Sequence, residues 1–242
     1  MKKYIIILIF LFCYQITYCQ KDVKTKSLIP IKYGVKIGGN IGNVTSTPNE
    51  GVSNIDKTPI FGLSGGFYIQ IALNDKWFIN PEILYVQKGI SATSEYIHRY
   101  EPNQQDLHKV SHDLALAYIE LNPTISFKAN DKFSLNLGPS ISMQLSSEYT
   151  SNDIGEHDGL STHEELDEWI FEGETLDIGI NVGLSYFIND NFILESKFNS
   201  GLMKSGVISK EISTAGTANN DIKSNIFELK NNGILFSFIY LF

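Results

Sequence analysis

The residues best able to do chemistry in this chain are acids and histidines gathered in its polar stretches. Ten acids stand between Glu148 and Glu174 with no lysine or arginine among them: Glu148, Asp153, Glu156, Asp158, Glu164, Glu165, Asp167, Glu168, Glu172 and Glu174. Clustered carboxylate oxygens suit hard cations such as Ca²⁺. The run Asn152-Asp153-Ile154-Gly155-Glu156-His157-Asp158-Gly159 departs from EF-hand spacing, however, and a run of charge is usually a solvated face. His157 and His163 lie in the same stretch; His98, His108 and His112 precede it. His108 and His112 are four apart, a metal-binding spacing on a helix, but no zinc motif or nucleophile elbow accompanies them. Rim-sited hydrolysis or acyl transfer is the chemistry such residues would perform. Without a supporting motif we expect no enzyme, no metal and no cofactor.

A second charged set is placed differently. Lys36, Glu82, Lys88, Glu120, Asp177, Glu195 and Lys197 each sit in a stretch where large apolar residues alternate with small or polar ones. Alternation of period two marks a strand with two unlike faces. In strand five, Phe133, Leu135, Leu137, Ile141 and Met143 oppose Ser134, Asn136, Gly138, Ser140 and Ser142; strand six, from Thr175 to Ile188, is almost as regular. Similar patterns cover residues 32–45, 59–73, 77–91, 113–127 and 192–203. The final strand ends the chain on Ile234, Phe236, Phe238, Tyr240 and Phe242, every second residue apolar or aromatic. Its phase slips around Asn231-Asn232-Gly233, where a bulge or kink is expected. Pro81 removes a backbone donor and favours an edge or bulge at that point.

Eight strand candidates of this length exceed the ~5–6 residues usual in soluble sheets. Their connections alternate long and short. Asn74-Asp75-Lys76, Lys128–Lys132 and Asn189-Asp190-Asn191 are short turns, and Asn and Asp favour such turns. Residues 46–58, 92–112, 147–174 and 204–225 are long loops. The pattern predicts an all-β fold: an eight-stranded antiparallel up-and-down transmembrane β-barrel with four long extracellular loops and three short periplasmic turns. Apolar faces meet lipid, and the seven charges face a lumen narrow enough for side chains to fill. They are expected to pair as a plug, with a narrow ion path as the other reading. Trp169, Ile170 and Phe171 are expected in an interfacial aromatic girdle.

Residues 1–19 read as a cleaved signal peptide: Lys2 and Lys3, the apolar run around Ile5–Phe12, and small Thr17 and Cys19 before Gln20. Ile16-Thr17-Tyr18-Cys19 approaches a lipoprotein box, but Tyr18 is bulky where a small residue belongs. Both cysteines, Cys13 and Cys19, fall in this leader, so no disulfide is expected afterwards. Residues 20–31 form a periplasmic segment and 32–242 the barrel. Net charge is −8 and becomes −10 once Lys2 and Lys3 are removed, which argues against a nucleic-acid partner.

Several stretches resemble the PorT-type family of outer-membrane β-barrel proteins. They are Gly34-Val35-Lys36-Ile37-Gly38-Gly39-Asn40, Asn80-Pro81-Glu82-Ile83-Leu84-Tyr85-Val86-Gln87-Lys88-Gly89, Tyr118-Ile119-Glu120-Leu121-Asn122-Pro123, Leu137-Gly138-Pro139-Ser140, and Asp177-Ile178-Gly179 with Gly183-Leu184. The resemblance runs over essentially the whole chain after the leader, and the Pro81–Gly89 segment is its most specific part. It implies the barrel fold and the bacterial outer membrane but carries no single function, since one branch of the family is linked to protein secretion and others have diverse roles. Expected partners are outer-membrane lipid, the barrel assembly machinery during insertion, and an unidentified extracellular or periplasmic partner. The leading expectation is a structural or binding role through the outer loops; a part in a secretion or transport assembly is the alternative.

Overall fold

The computed structural model describes residues 30–48, 55–101, 104–153, 167–212 and 222–242. The leader, residues 20–29, His157, His163 and the acids between 156 and 165 lie outside the described residues. Of His98, His108, Asp153, Asp167 and Glu168 only the backbone is described.

Ten strands are described: β1 (Ile31–Pro48), β2 (Ile55–Ala72), β3 (Trp77–Glu101), β4 (Gln104–Lys128), β5 (Phe133–Asp153), β6 (Asp167–Gly173), β7 (Leu176–Phe187), β8 (Phe192–Gly201), β9 (Gly206–Ile212) and β10 (Ile222–Leu241). The pairings between them are antiparallel. β6 and β7 make the two halves of one stave, and β8 and β9 those of the next, because β7 pairs β8 while β6 pairs β9. The result is a ring of eight staves, closed by β1 against β10 from Gly34↔Leu241 to Pro48↔Phe227. At Gly38 this closing pair is tight: a Cβ there would collide with the Phe236 carbonyl oxygen.

The three short turns share one device. Asn74, Asn130 and Asn189 each accept, through the side-chain oxygen, backbone N–H bonds from the residues two and three ahead, at 2.8–3.0 Å. An Asx turn of this kind pins the strand register at the periplasmic end. Ring pairs gather there too, Trp77 with Phe127, Phe133 with Tyr186 and Phe192 with Tyr240, at 4.9–5.1 Å. These rings stand at the interface level where amphipathic aromatics are favoured.

Strands are longer, and loops shorter, than the alternation predicts. β3 and β4 run 25 residues each and pair over much of residues 92–112, expected as loop. β6 and β9 occupy parts of the expected loops 147–174 and 204–225. At ~3.3 Å per residue and a tilt of ~40°, such strands rise about 60 Å, roughly twice the ~30 Å hydrocarbon core. Each long stave therefore crosses two environments. Within the apolar band the large residues turn outward: Leu121, Ile125, Leu135, Leu137, Ile234 and Phe236 are exposed there. Further out the pattern inverts. Leu114, Leu116, Phe227 and Leu229 face inward and are buried, while Asp113, Glu148, Glu228 and Lys230 are exposed.

That inversion corrects the expected bulge at Asn231-Asn232-Gly233. β10 pairs β1 through this stretch without a shift; on its other side the register breaks opposite Lys230 and Asn231, from Asn232↔Ser200 to Leu229↔Gly206, where the partner stave is interrupted between β8 and β9, and a further shift lies between Asn225 and Phe227. The apolar residues change face because the solvent outside changes from lipid to water. A real bulge occurs in β5 at Leu145, where Ala117↔Ser146 is followed by Tyr118↔Gln144. One extra residue exchanges the strand's faces beyond it. Pro81 is likewise not at an edge: it stands directly opposite Pro123 in an unshifted stretch of the β3–β4 ladder, so two missing donors share one rung.

Candidate functional site

The inner face is layered from the periplasmic end outward. The first layer is apolar: Tyr68, Ile193, Ile239 and Leu241, with Phe187 against them. The second layer is charged. Lys36 on β1 lies 2.7 Å from Glu82 on β3 and 2.5 Å from Glu195 on β8. Lys197 hydrogen-bonds Glu82 and stands 3.3 Å from Glu195. Two lysines and two glutamates from three staves thus form a neutral square, with every member at or below 5 % exposure. Amides complete it: Asn136 donates to Glu195 at 3.1 Å, and Asn122 donates to Glu82 at 3.1 Å. Asn181 then donates to Asn122 at 3.0 Å.

Next outward, Lys88 lies 2.5 Å from Glu120, which also accepts a bond from Ser142 at 3.1 Å. Asp177 on β7 faces this pair but forms no ion pair with a lysine among the described residues. Its Oδ2 accepts from Asn231 Nδ2 at 2.9 Å, and the same amide donates to the Tyr118 hydroxyl at 3.0 Å. The seven charges read from the alternation are thus all inward and buried, and six of them meet in two groups. Sequence reasoning missed Asn122, Asn136, Asn181, Ser142, Tyr118 and Asn231 as members of the site. The signal that could have found them is their inward position on β4, β5, β7 and β10. The terminal set Ile234, Phe236, Phe238, Tyr240 and Phe242 faces outward along β10 and just past its end.

Outward again lies a third, apolar layer: Ile90, Leu114, Leu116, Tyr118, Ile208, Phe227 and Leu229. Trp169 and Phe171 of β6 pack onto it, which corrects their expected place in an interfacial girdle. β6 pairs with β9 and turns these rings onto the inner core rather than to lipid. His112 is buried in this layer with Nε2 2.8 Å from Ser94 Oγ and Nδ1 2.8 Å from the Tyr149 hydroxyl. Tyr149 reaches it because the Leu145 bulge turns that face of β5 inward. His112 lies beyond the apolar band, beside outward-facing Asp113, and burial pushes its pKa down to about 4. The imidazole is neutral and edge-on to Trp169, with ring centroids 4.7 Å apart. Glu148, Glu172 and Glu174 of the acidic stretch are exposed. Among the described residues no group of three or more His, Cys, Asp and Glu side chains is placed to hold a metal.

A closed ring of eight antiparallel staves, short turns at one end and an outward apolar band together define an outer-membrane β-barrel protein. The family model described as outer membrane protein beta-barrel domain matches residues 19–206, and the chain belongs to that family, placing the protein in the bacterial outer membrane. Among solved structures, the attachment invasion locus protein Ail of Yersinia pestis is 12 % identical, with 88 % of this chain and 99 % of that one covered and a TM-score of 0.39. Neisserial surface protein A is 12 % identical over 87 % and 97 % of the two chains, with a TM-score of 0.42. The outer membrane protein AlkL is 12 % identical over 92 % and 96 %, with a TM-score of 0.43. At such identities the likeness is one of fold alone. A search of curated proteins returns no match.

Proposed function

We propose that this protein is a closed, non-enzymatic outer-membrane barrel that holds a binding surface outside the cell. The observation that carries this reading is the apolar third layer. A barrel that served only to span the bilayer would need no folded core beyond the lipid band. Here the staves continue outward around Leu114, Leu116, Ile208, Phe227 and Leu229, which makes a rigid pedestal for the long connections. The charged square beneath it is the plug: its ions are mutually paired and capped by apolar layers on both sides. The Pro81–Gly89 segment that carries the PorT-type resemblance supplies Glu82 and Lys88 to that plug, in keeping with a structural use of the motif.

The acids between Glu148 and Glu174 favour a basic partner surface, whose attraction would be screened by salt. Export through a cleaved leader and insertion through the aromatic last strand complete the reading. The test uses the full-length protein in lipid nanodiscs, passed over an immobilised basic protein such as lysozyme at low and high salt. Salt-sensitive retention that is lost on deleting residues 154–166, with the heat-dependent gel shift of the folded barrel kept, is expected. Equal retention by both chains overturns the loop-binding reading. The non-enzymatic reading is tested separately with a fluorophosphonate probe: Ser94, buried behind the apolar layer, is expected to stay unlabelled.

A further inference from the structure

Among the described residues, the fully buried charges of the inner face do not balance. That face buries three lysines, Lys36, Lys88 and Lys197, against four carboxylates, Glu82, Glu120, Asp177 and Glu195. The square of Lys36, Glu82, Glu195 and Lys197 is neutral, and Lys88 is matched by Glu120. The surplus negative charge therefore belongs to Asp177, which is 3 % exposed. Buried charges in proteins are paired or hold a cation.

The atoms around Asp177 point the same way. Asp177 Oδ1 and Asn231 Oδ1 are both buried acceptors without a hydrogen-bond partner. Asn231 is 1 % exposed, and its amide orientation is set by its neighbours. Its nitrogen donates to Asp177 Oδ2 and to the Tyr118 hydroxyl, and the flipped amide would set oxygen against oxygen. The Ile178 amide also leans on the Asp177 carboxylate, yet Oδ1 stays free. Lys88 lies 2.5 Å from Glu120 and over the Tyr118 ring, 5.3 Å from its centroid; its charge is felt by Asp177, but among the described residues the two form no ion pair. Two buried oxygens without partners, one of them on a carboxylate, thus belong to side chains in direct contact within a buried polar layer.

We propose that Asp177 and Asn231 hold a monovalent cation of the Na⁺ class inside the barrel, with the Tyr118 hydroxyl as a neighbouring neutral oxygen. One positive charge balances the surplus; a divalent ion would leave an unmatched positive charge beside Lys88. Hard oxygen donors of this kind suit Na⁺ and do not suit a soft transition metal. The ion completes the charge balance of the plug, and the inference stands whether or not the outer loops bind a partner. Its rival is a proton that neutralises Asp177 and bridges it to Asn231.

The two are separated by thermal unfolding of the full-length protein in phospholipid vesicles, followed by the heat-dependent gel shift. The pH is fixed at neutral and the ionic strength held constant while choline chloride is exchanged for sodium chloride. Wild type is expected to show a midpoint that rises with Na⁺ and saturates, as binding to the folded state alone requires. Asp177→Asn should abolish the dependence while keeping the gel shift, and Asn231→Ala should move saturation to higher Na⁺. A wild-type midpoint indifferent to Na⁺ overturns the proposal, as does an unchanged Na⁺ dependence in Asp177→Asn or a response to Ca²⁺ alone. Should Asp177→Asn fail to assemble, crystals of wild type soaked in Tl⁺ decide instead: an anomalous peak between Asp177 and Asn231 supports the site, and its absence overturns it.

Discussion

Each charged residue in the lumen depends on the others around it. Removing one partner of a buried ion pair strands the remaining charge at a cost of roughly 3–5 kcal/mol. Lys36 touches both glutamates of the square, so Lys36→Met is expected to destabilise the barrel by about that amount, read as a lower urea midpoint in micelles. The double change Lys36→Met with Glu195→Gln should recover part of the loss, because Lys197 and Glu82 then remain as a matched pair. His112 makes a prediction about pH. Its folded-state pKa of about 4 lies below the ordinary value of 6.5 because burial disfavours the imidazolium. The unfolded chain therefore binds the proton first. Stability is whole above pH ~6.5, declines as pH falls toward 4, and is lower by about 3 kcal/mol below both values. Unfolding midpoints measured across that window should fall for wild type and lose that component in His112→Gln.

On a single element, β10 offers two phenylalanines with opposite surroundings. Phe227 is buried in the outer core at 3 % exposure, and Phe236 faces lipid at 53 %. Phe227→Ala opens a cavity and is expected to cost about 3–5 kcal/mol; exchange of amide hydrogens in β9 and the outer half of β10 should rise first. Phe236→Ala removes no packed core and should cost much less, whereas Phe236→Lys puts charge against hydrocarbon and should cost about 2–4 kcal/mol, the range for a lysine facing the bilayer midplane. Equal effects of the two alanine changes would contradict the assignment of faces. The seam between β1 and β10 adds a steric test. Gly38→Val places a branched carbon where the Phe236 carbonyl already stands, so the yield of heat-shifting protein should fall sharply.

At the scale of the molecule, the three inner layers act together: an apolar floor around Ile239 and Leu241, a charged middle, and an apolar roof that includes Trp169 and Phe171. Apolar side chains at floor and roof, with paired ions between them, are proposed to close the lumen, so that it conducts poorly. In planar bilayers wild type is expected to give no stable conductance steps. A change at the roof alone, Trp169→Ala with Phe171→Ala, should still give none while the charged layer holds. Regular steps from wild type would oppose the plug. The outer half has a further asymmetry: β5 beyond Met143 pairs only β4 among the described ladders, and β6 pairs only β9. The ring is hydrogen-bonded across the apolar band, where unpaired backbone would be most costly.

The eight staves, their antiparallel order, the short turns and the inward parity of Lys36, Glu82, Lys88, Glu120, Asp177, Glu195 and Lys197 follow from alternation alone. A period of two assigns faces without knowledge of any neighbour, and Asn-Asp turns act locally. Which lysine meets which glutamate is not legible, because a pair such as Lys36 with Glu195 is set by barrel closure across distant strands. The outer core escapes a reading of the sequence for a different reason. Phe227, Leu229, Leu114 and Leu116 obey the same period as the lipid-facing residues but with the opposite sign, and a pattern of alternation does not say where lipid gives way to water. The bulge at Leu145 and the inward turn of Trp169 likewise depend on ladder register. Sequence determined the faces; tertiary structure decided which solvent each face meets, and left Asp177, among the described residues, as the buried inward carboxylate without an ion-paired lysine.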